Sequence, residues 1–413
     1  MQRTSRAIEA AARDHVGELK KRAIENALRA TAIAVDSLDM ASLPVSATGW
    51  TGNPKFQLPG GLLRVWRALD LLTGSVGFRF LDWDGITSVV IVGCRDRIVA
   101  VLGGIPPGAA EDKWSSVVRD AEGAIEACYA QSTFEEKERE GRRGEFASRT
   151  FGFGFGFGNG RPKPMNYKIS GSGKQAVAKN KEAVDKLISN DDGIRALSGF
   201  TNDLFNCFGH KLYMEYKDAV EELVEKQPEL ARNFPSTVFA AATVNFGPRS
   251  FSPPHMDSDN RADGWCADTA LGNFDPDKGG HLVLWDLQLV IRFPPGSSVL
   301  FPSALITHST LPIQPHETRY AFIQYTSGGL FRWRANGFKT DADWLKKASP
   351  AEVLDREAAR RRRWKTALQK FTRWNDLRFG DWKGLRRSKA GLDDCSDLLE
   401  LESEEDVKRL RDR

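Results

Sequence analysis

PPHMDSDN, residues 253–260, puts a histidine, two aspartates and an asparagine within six positions. A His-x-Asp pair arises by chance in many chains, and alone it is a polar turn as readily as a metal site. What stands on either side decides. From residue 236 the chain becomes a series of strand-like runs: STVFAAATVNF (236–246), WCADTALGNF (265–274), GHLVLWDLQLVIRF (280–293), SSVLFPS (297–303) and TRYAFIQYTSG (318–328). PRSFSPP, DPDKGG, PPG and PIQPHE separate them. Short strands with Gly/Pro turns at regular spacing indicate an antiparallel sandwich or barrel, and the run at 280–293 is long enough to hold a hairpin.

The histidines can be placed on that strand map. His255 and Asp257 follow the first run, His308 follows the fourth, and Arg319 opens the last. Two histidines and a carboxylate on strands of one small β-block are the ligand set of facial-triad non-haem Fe(II) oxygenases. Such a site keeps positions open for O2 and a bidentate cosubstrate. The far carboxylate of that cosubstrate needs a cation, and a guanidinium offers it a planar fork. Arg319 stands where such an arginine is expected. Taken singly, each residue has a plainer reading: a turn, a core histidine, a surface ion pair. The order H-x-D, strand, H, R inside one β-block is far more specific than any of its parts.

The rest of the chain bounds this reading. With 413 residues, two or three domains are expected. A hydrophobic share of 41% and eleven tryptophans exclude general disorder. Lys and Arg exceed Asp and Glu by 59 to 55, a net charge of +4 that settles no partner by itself. Five scattered cysteines without a CxxC pair argue against a disulfide scaffold or a Cys-rich zinc site. No signal peptide or membrane span is expected.

Residues 5–35 are rich in Ala, Leu, Glu, Lys and Arg and are expected to be helical, and 61–72 is expected to be a short helix. Residues 87–104 suggest a hairpin, 110–131 a helix, and 134–149 a charged linker or a solvated helix. FGFGFGFGNG (151–160) is either a low-complexity Phe-Gly segment or, as the spacing favours, an extended strand with its phenylalanines on one face. Helices are expected within 172–232, around a less regular middle segment. Over 356–388 a basic excess is interleaved with Trp364, Phe371, Trp374, Phe379 and Trp382, and 393–405 is acidic.

PPHMDSDN, GWCADTALGNFDPDKGGHLVLWDL, FPPGSSVLFPSALITHS and ETRYAFIQYTSGGLFRW resemble the TET/JBP group of 2-oxoglutarate/Fe(II) DNA dioxygenases, in particular its expanded basidiomycete members. The likeness covers about 236–340, and more weakly 78–170. It implies an α+β fold: a double-stranded β-helix (jelly-roll, cupin-like) core with flanking N-terminal, middle and C-terminal helices. The implied divisions are an N-terminal helical extension (1–75), a hairpin, helix and charged linker (76–150), the dioxygenase domain (151–345) with a helical insert (172–232), and a basic, aromatic C-terminal part (346–413).

The resemblance implies Fe(II) on His255, Asp257 and His308, and 2-oxoglutarate on Arg319, with O2 as co-reactant. Asn260 corresponds to the family's base-contacting asparagine and Tyr325 to its base-stacking ring. His281 resembles a strand histidine that touches the cosubstrate, although a core imidazole remains an open reading. Asn245 has a similar place, beside the plainer reading of a strand-end polar residue. Ser327 stands where the family has a base-contacting histidine, which puts the base preference in doubt. The zinc region of animal members is absent. The expected partner is double-stranded DNA carrying modified bases, the expected state a monomer and the expected location the nucleus. Arg360, Arg361, Arg362, Arg363, Lys365, Lys370, Arg373, Arg386 and Arg387 form a candidate phosphate-contacting segment, with an amphipathic helix whose tryptophans pack on the core and whose arginines are solvated as the equal alternative. The rivals are oxidation of N6-methyladenine or thymine on the same core, a DNA-binding relic of an oxygenase, and a peptide or small-molecule hydroxylase.

Overall fold

The computed structural model describes residues 29–35, 38–53, 71–72, 77–106, 111–139, 146–155, 160–165, 174–190, 192–235 and 237–379. Most of the helix expected at 5–35, most of that at 61–72, and the tail beyond 379 lie outside the described residues.

The described residues form thirteen strands. They are β1 (Thr31–Ala34), β2 (Arg79–Leu81), β3 (Val89–Gly93), β4 (Arg97–Leu102), β5 (Ser148–Gly154), β6 (Lys163–Pro164), β7 (Ala241–Asn245), β8 (Cys266–Leu271), β9 (Leu282–Leu284), β10 (Leu289–Ile291), β11 (Ser298–Phe301), β12 (His308–Thr310) and β13 (Tyr320–Tyr325). They build a nine-stranded sheet ordered β1-β3-β4-β11-β8-β13-β7-β5-β6 and a four-stranded sheet ordered β12-β9-β10-β2. From β8 onward the chain moves repeatedly between the two. β8, β11 and β13 join the large sheet, while the β9–β10 hairpin and β12 join the small one.

Period-two alternation holds the sheets together. Leu282, Leu284, Leu289 and Ile291 of the small sheet enter the main core, which also contains Val299, Leu300 and Phe322 of the large sheet. Val283 and Val290 point the other way, into a second cluster with Leu71, Phe78, Trp285 and Leu311. β3 and β4 are buried at every residue and form the expected hairpin around Arg95 and Asp96, both at φ 63°. Two edge pairings differ from the expected antiparallel pattern: β1 runs parallel to β3, and β2 parallel to β10. The end of the stretch expected as helix is therefore a strand. TAIA contains two β-branched residues, and β3 offers it an edge to pair with.

Helices α1 (Glu111–Gln131), α2 (Lys174–Ile188), α3 (Ile194–Phe208) and α4 (His210–Lys226) follow between the strands. α3 covers the large sheet on the side of Gln324, whose amide oxygen accepts from Ser198 Oγ at 2.7 Å and whose nitrogen donates to Thr201 Oγ1 at 2.6 Å. α3 buries Leu197, Phe200, Leu204, Phe205 and Phe208, each such burial contributing about 1.5–3 kcal/mol. This is the middle segment that looked irregular. Its buried Ser198, Thr201 and Asn202 interrupt the apolar period, yet all three are hydrogen-bonded.

β5 alternates as expected, with Phe151 and Phe153 buried. Gly152, at φ 94°, admits no side chain, since a Cβ would stand 2.3 Å from the Ala240 carbonyl. Residues 156–159 lie outside the described residues. After β13 come α5 (Gly328–Ala335), α6 (Asp341–Leu345), α7 (Pro350–Ala367) and α8 (Trp374–Phe379). Among the described residues no helix is long and apolar enough to cross a membrane.

Candidate metal centre

The loop between β7 and β8 carries His255 and Asp257, and β12 carries His308. The loop docks on β12 through reciprocal backbone bonds: His255 N–H to the His308 carbonyl at 3.0 Å, and His308 N–H to the His255 carbonyl at 2.9 Å. Asp257 N–H donates to the Ser303 carbonyl at 2.9 Å. These bonds bring one potential ligand atom from each of the three side chains within 4.8 Å of the others. His308 Nε2 is 3.8 Å from Asp257 Oδ2, and the two imidazole centroids are 4.3 Å apart.

The histidines are oriented the same way. His255 Nδ1 is 2.8 Å from the Pro253 carbonyl, and His308 Nδ1 is 2.9 Å from the Ile306 carbonyl. A carbonyl can only accept, so each Nδ1 carries the proton, and Nε2 is the nitrogen a metal would take. This is the outer support expected of metal-bound imidazoles. Two Nε2 atoms and a carboxylate fit a divalent transition metal, and open positions in such a set suit Fe(II).

The large sheet supplies the opposite wall. Ile323 pairs with Asp268, Gln324 with Ala267, and Tyr325 with Ala241, so residues of like parity share a face. Gln324 faces α3. Thr243, Asn245, Asp268, Arg319, Ile323 and Tyr325 belong to the other face. Phe301 shares it, opposite Cys266, and its ring meets His308 edge-on at 4.9 Å. That face therefore looks toward the triad.

Arg319 is 1% exposed. Its Nη1 donates to the Ser250 carbonyl at 2.8 Å, while Nε and Nη2 are buried without a partner. Phe274 and Phe293 lie 5.9 Å from its guanidinium carbon. Burial pulls its pKa below the usual arginine value, and Asp268 only partly offsets this. Two unused donors on a buried cation fit a carboxylate that joins them from outside the chain.

The remaining expected residues divide. Tyr325 shares the site face, its hydroxyl 3.0 Å from Thr243 Oγ1. Asn260 Nδ2 donates to Ser303 Oγ at 3.0 Å, and its backbone bridges to Ser327. Ser327 Oγ lies 3.4 Å from the carbonyl of Phe155, within the Phe-Gly stretch. Asn245 ends β7 on the same face, opposite Ala321. His281 does not join them. Its ring meets Phe80 at 5.7 Å, and Phe80 pairs with Val290, whose side chain points away from the main core. Burial, with Arg292 nearby, lowers its pKa, against a smaller opposing effect of Asp277. His281 stands on the outer side of the small sheet because it is in step with Val283 rather than with Leu282 and Leu284.

Sequence reasoning missed two features. One is residues 44–53. The Trp50 carbonyl accepts from Ala262 N–H, Thr51 bridges to Arg261, and a Cβ on Gly52 would stand 2.2 Å from the Ala304 carbonyl. No local motif announces this packing. The other is Asp268, and here a signal existed: a carboxylate in the middle of the apolar run WCADTAL.

The candidate phosphate-contacting residues also separate. Arg360 Nε donates to the Ala47 carbonyl at 2.6 Å, Arg363 donates to the Thr48 carbonyl, and Lys370 pairs with Glu215 at 2.7 Å. Arg361, Arg362, Lys365 and Arg373 are exposed. Arg386 and Arg387 lie outside the described residues.

No protein-family model and no curated protein matches the chain. Among solved structures, NgTET1 in complex with 5mC DNA is similar at 12% identity, over 63% of this chain and 87% of that one, with a TM-score of 0.38. OsALKBH1 is similar at 14% identity, over 52% of this chain and 93% of that one, with a TM-score of 0.27. A 2OG-Fe(II) oxygenase family oxidoreductase from Burkholderia pseudomallei is similar at 21% identity, over 22% of this chain and 43% of that one, with a TM-score of 0.18.

Proposed function

We propose that the chain is an Fe(II)/2-oxoglutarate-dependent dioxygenase that oxidises the methyl group of 5-methylcytosine in DNA to hydroxymethyl and beyond. One observation carries the oxygenase part: a His-Asp-His set with each Nε2 as the nitrogen a metal would take, facing a sheet wall whose buried Arg319 keeps two donors unused. The to-and-fro of β8–β13 between two sheets supports a double-stranded β-helix core. The DNA part rests on the sequence resemblance around His255, Asp257, Asn260 and Tyr325, and on exposed arginines in α7. A monomer acting in the nucleus accords with it.

When bound, iron and 2-oxoglutarate supply the oxidising power that breaks a C–H bond with O2. The chain does the positioning. His255 and His308 present nitrogen, Asp257 adds a negative charge, and Arg319 holds the far carboxylate of the cosubstrate. A methyl group on a stacked base cannot reach the centre, so the base must leave the helix. Tyr325, steadied by Thr243, offers it a ring, and Asn260 and Ser327 line up beside each other at the rim. The Phe301 ring, edge-on to His308, gives the triad one apolar neighbour.

The test is an Fe(II)/2-oxoglutarate reaction on duplex DNA carrying both 5-methylcytosine and N6-methyladenine, read by nucleoside mass spectrometry. Oxidised methylcytosines are expected. Loss of only the adenine methyl overturns the substrate and keeps the oxygenase. No product, with 2-oxoglutarate untouched, leaves a DNA-binding relic.

A further inference from the structure

Asp268 is the acidic residue in β8, a strand otherwise made of Cys, Ala, Thr, Ala and Leu. Its register sets its direction. It stands opposite Ile323 in β13 and Val299 in β11, on the face that carries Arg319, Tyr325 and Phe301. It also lies within the electrostatic reach of both halves of the site, feeling the charges of Arg319 and of Asp257. Yet Asp268 Oδ1 is buried without a partner, as are Arg319 Nε and Nη2. Arg319 is buried and Asp268 half-buried on one wall, no ion pair joins them, and the atoms they leave unused face a common space rather than each other.

We propose that Asp268 is a tuning residue of the cosubstrate pocket: its carboxylate lines the space that Arg319 closes, and its negative charge limits how tightly that space holds a 2-oxo dicarboxylate. The inference rests on the dioxygenase reading above. Arg319 attracts the far carboxylate of the cosubstrate, and Asp268 repels it from close by in a setting where charge is poorly screened. The pocket thereby keeps its geometric selectivity without holding its cosubstrate so tightly that exchange stalls. Burial pushes the Asp268 carboxyl up, to about 6, with Arg319 opposing and Asp257 reinforcing, so it is ionised at pH 8.

The experiment is an anaerobic calorimetric titration at pH 8 of 2-oxoglutarate, and separately of pyruvate, into the Fe(II)-loaded full chain. Wild type, Asp268→Asn and Arg319→Met are compared. Asp268→Asn should bind 2-oxoglutarate roughly tenfold more tightly and pyruvate, which has no far carboxylate, with little change. Arg319→Met should bind 2-oxoglutarate far more weakly. Asp268→Leu, which removes the charge and fills similar space, should also tighten binding, and it replaces the asparagine variant if that one misfolds. Unchanged or weaker 2-oxoglutarate binding in a folded Asp268 variant, with wild-type binding intact, overturns the tuning role and leaves the dioxygenase reading standing. A wild-type chain that takes up iron but not 2-oxoglutarate overturns both.

Discussion

Arg261 and Arg319 are each 1% exposed, and each sits beside the metal loop or the wall facing it. They are buried in opposite ways. Arg261 is held by its own chain at all but Nη1: Nε meets Asp263 Oδ1 at 2.6 Å, Nη2 meets Asp263 Oδ2 at 2.8 Å and also reaches Glu215, and the guanidinium lies 4.1 Å from the centre of the Phe331 ring. Lys370 joins the same acids from beyond α7. Arg319 has one carbonyl and two idle donors. Burial works to lower both pKa values. At Arg261 the neighbouring acids overcome it and the pKa rises; at Arg319 Asp268 does not, and the pKa falls. A buried charge that is paired internally serves the fold. One left short of partners is suited to a ligand, because the fold has borne its desolvation without recovering it.

The largest effect that tests this contrast comes from the triad, since the proposed cosubstrate would need both it and Arg319. Asp257→Ala should reduce turnover of methylated DNA by more than about a thousandfold and abolish stoichiometric iron binding, with the thermal transition little changed. Retained turnover would remove the reason to distinguish the two arginines. Next, Arg261→Met should destabilise the chain by about 3–5 kcal/mol in urea titrations, since Asp263 and Glu215 lose their arginine and keep only Lys370. Arg319→Met should cost little stability, or even add some, while weakening 2-oxoglutarate. Equal losses in the two variants would erase the contrast.

A pH series sharpens it. Burial pushes Asp263 up, but Arg261 more than reverses this, so its folded pKa is depressed. Its contribution to stability is present above the ordinary aspartate pKa and is lost as pH falls through the depressed value. Asp268 has the opposite sign. Its folded pKa is raised to about 6, so the stability linked to it is present below the unfolded value and is lost as pH rises through 6. Asp268→Asn should therefore raise the urea midpoint more at pH 8 than at pH 4, whereas Asp263→Asn should lower it most near neutrality. The smallest effect expected is on the surface. Replacing Arg361, Arg362 and Lys365 together by Ala should leave the melting curve alone and reduce the salt slope of DNA binding by up to about 2.7. An unchanged slope would place the DNA elsewhere.

The cluster of His255, Asp257 and His308 was legible because turn residues mark its surroundings in one dimension: His255 and Asp257 stand in the Pro-rich loop before β8, and His308 opens β12. The β9–β10 hairpin and the one-sided phenylalanines of β5 were legible for the same reason, since a period of two is a local property. His281 was misplaced because a single step in register moves a side chain to the other face, and nothing in GGHLVL fixes that step. The basic run of α7 was only half legible. The spacing shows which residues share a helix face, but Arg360 and Arg363 are bound by residues 47–48, more than three hundred positions away.

By itself the sequence determined which chemistry this chain is able to hold: two imidazoles, a carboxylate and an arginine, each carried on or beside a strand. Those identities and local periods need no partner to be read. Only the tertiary structure decided which groups would meet. The pairing of the His255 loop with β12, the common face of Asp268 and Arg319, and the loss of Arg261 to an internal ion network all depend on contacts between distant segments. The free energy of such contacts comes from burial and desolvation, which exist only once the sheets have closed on each other.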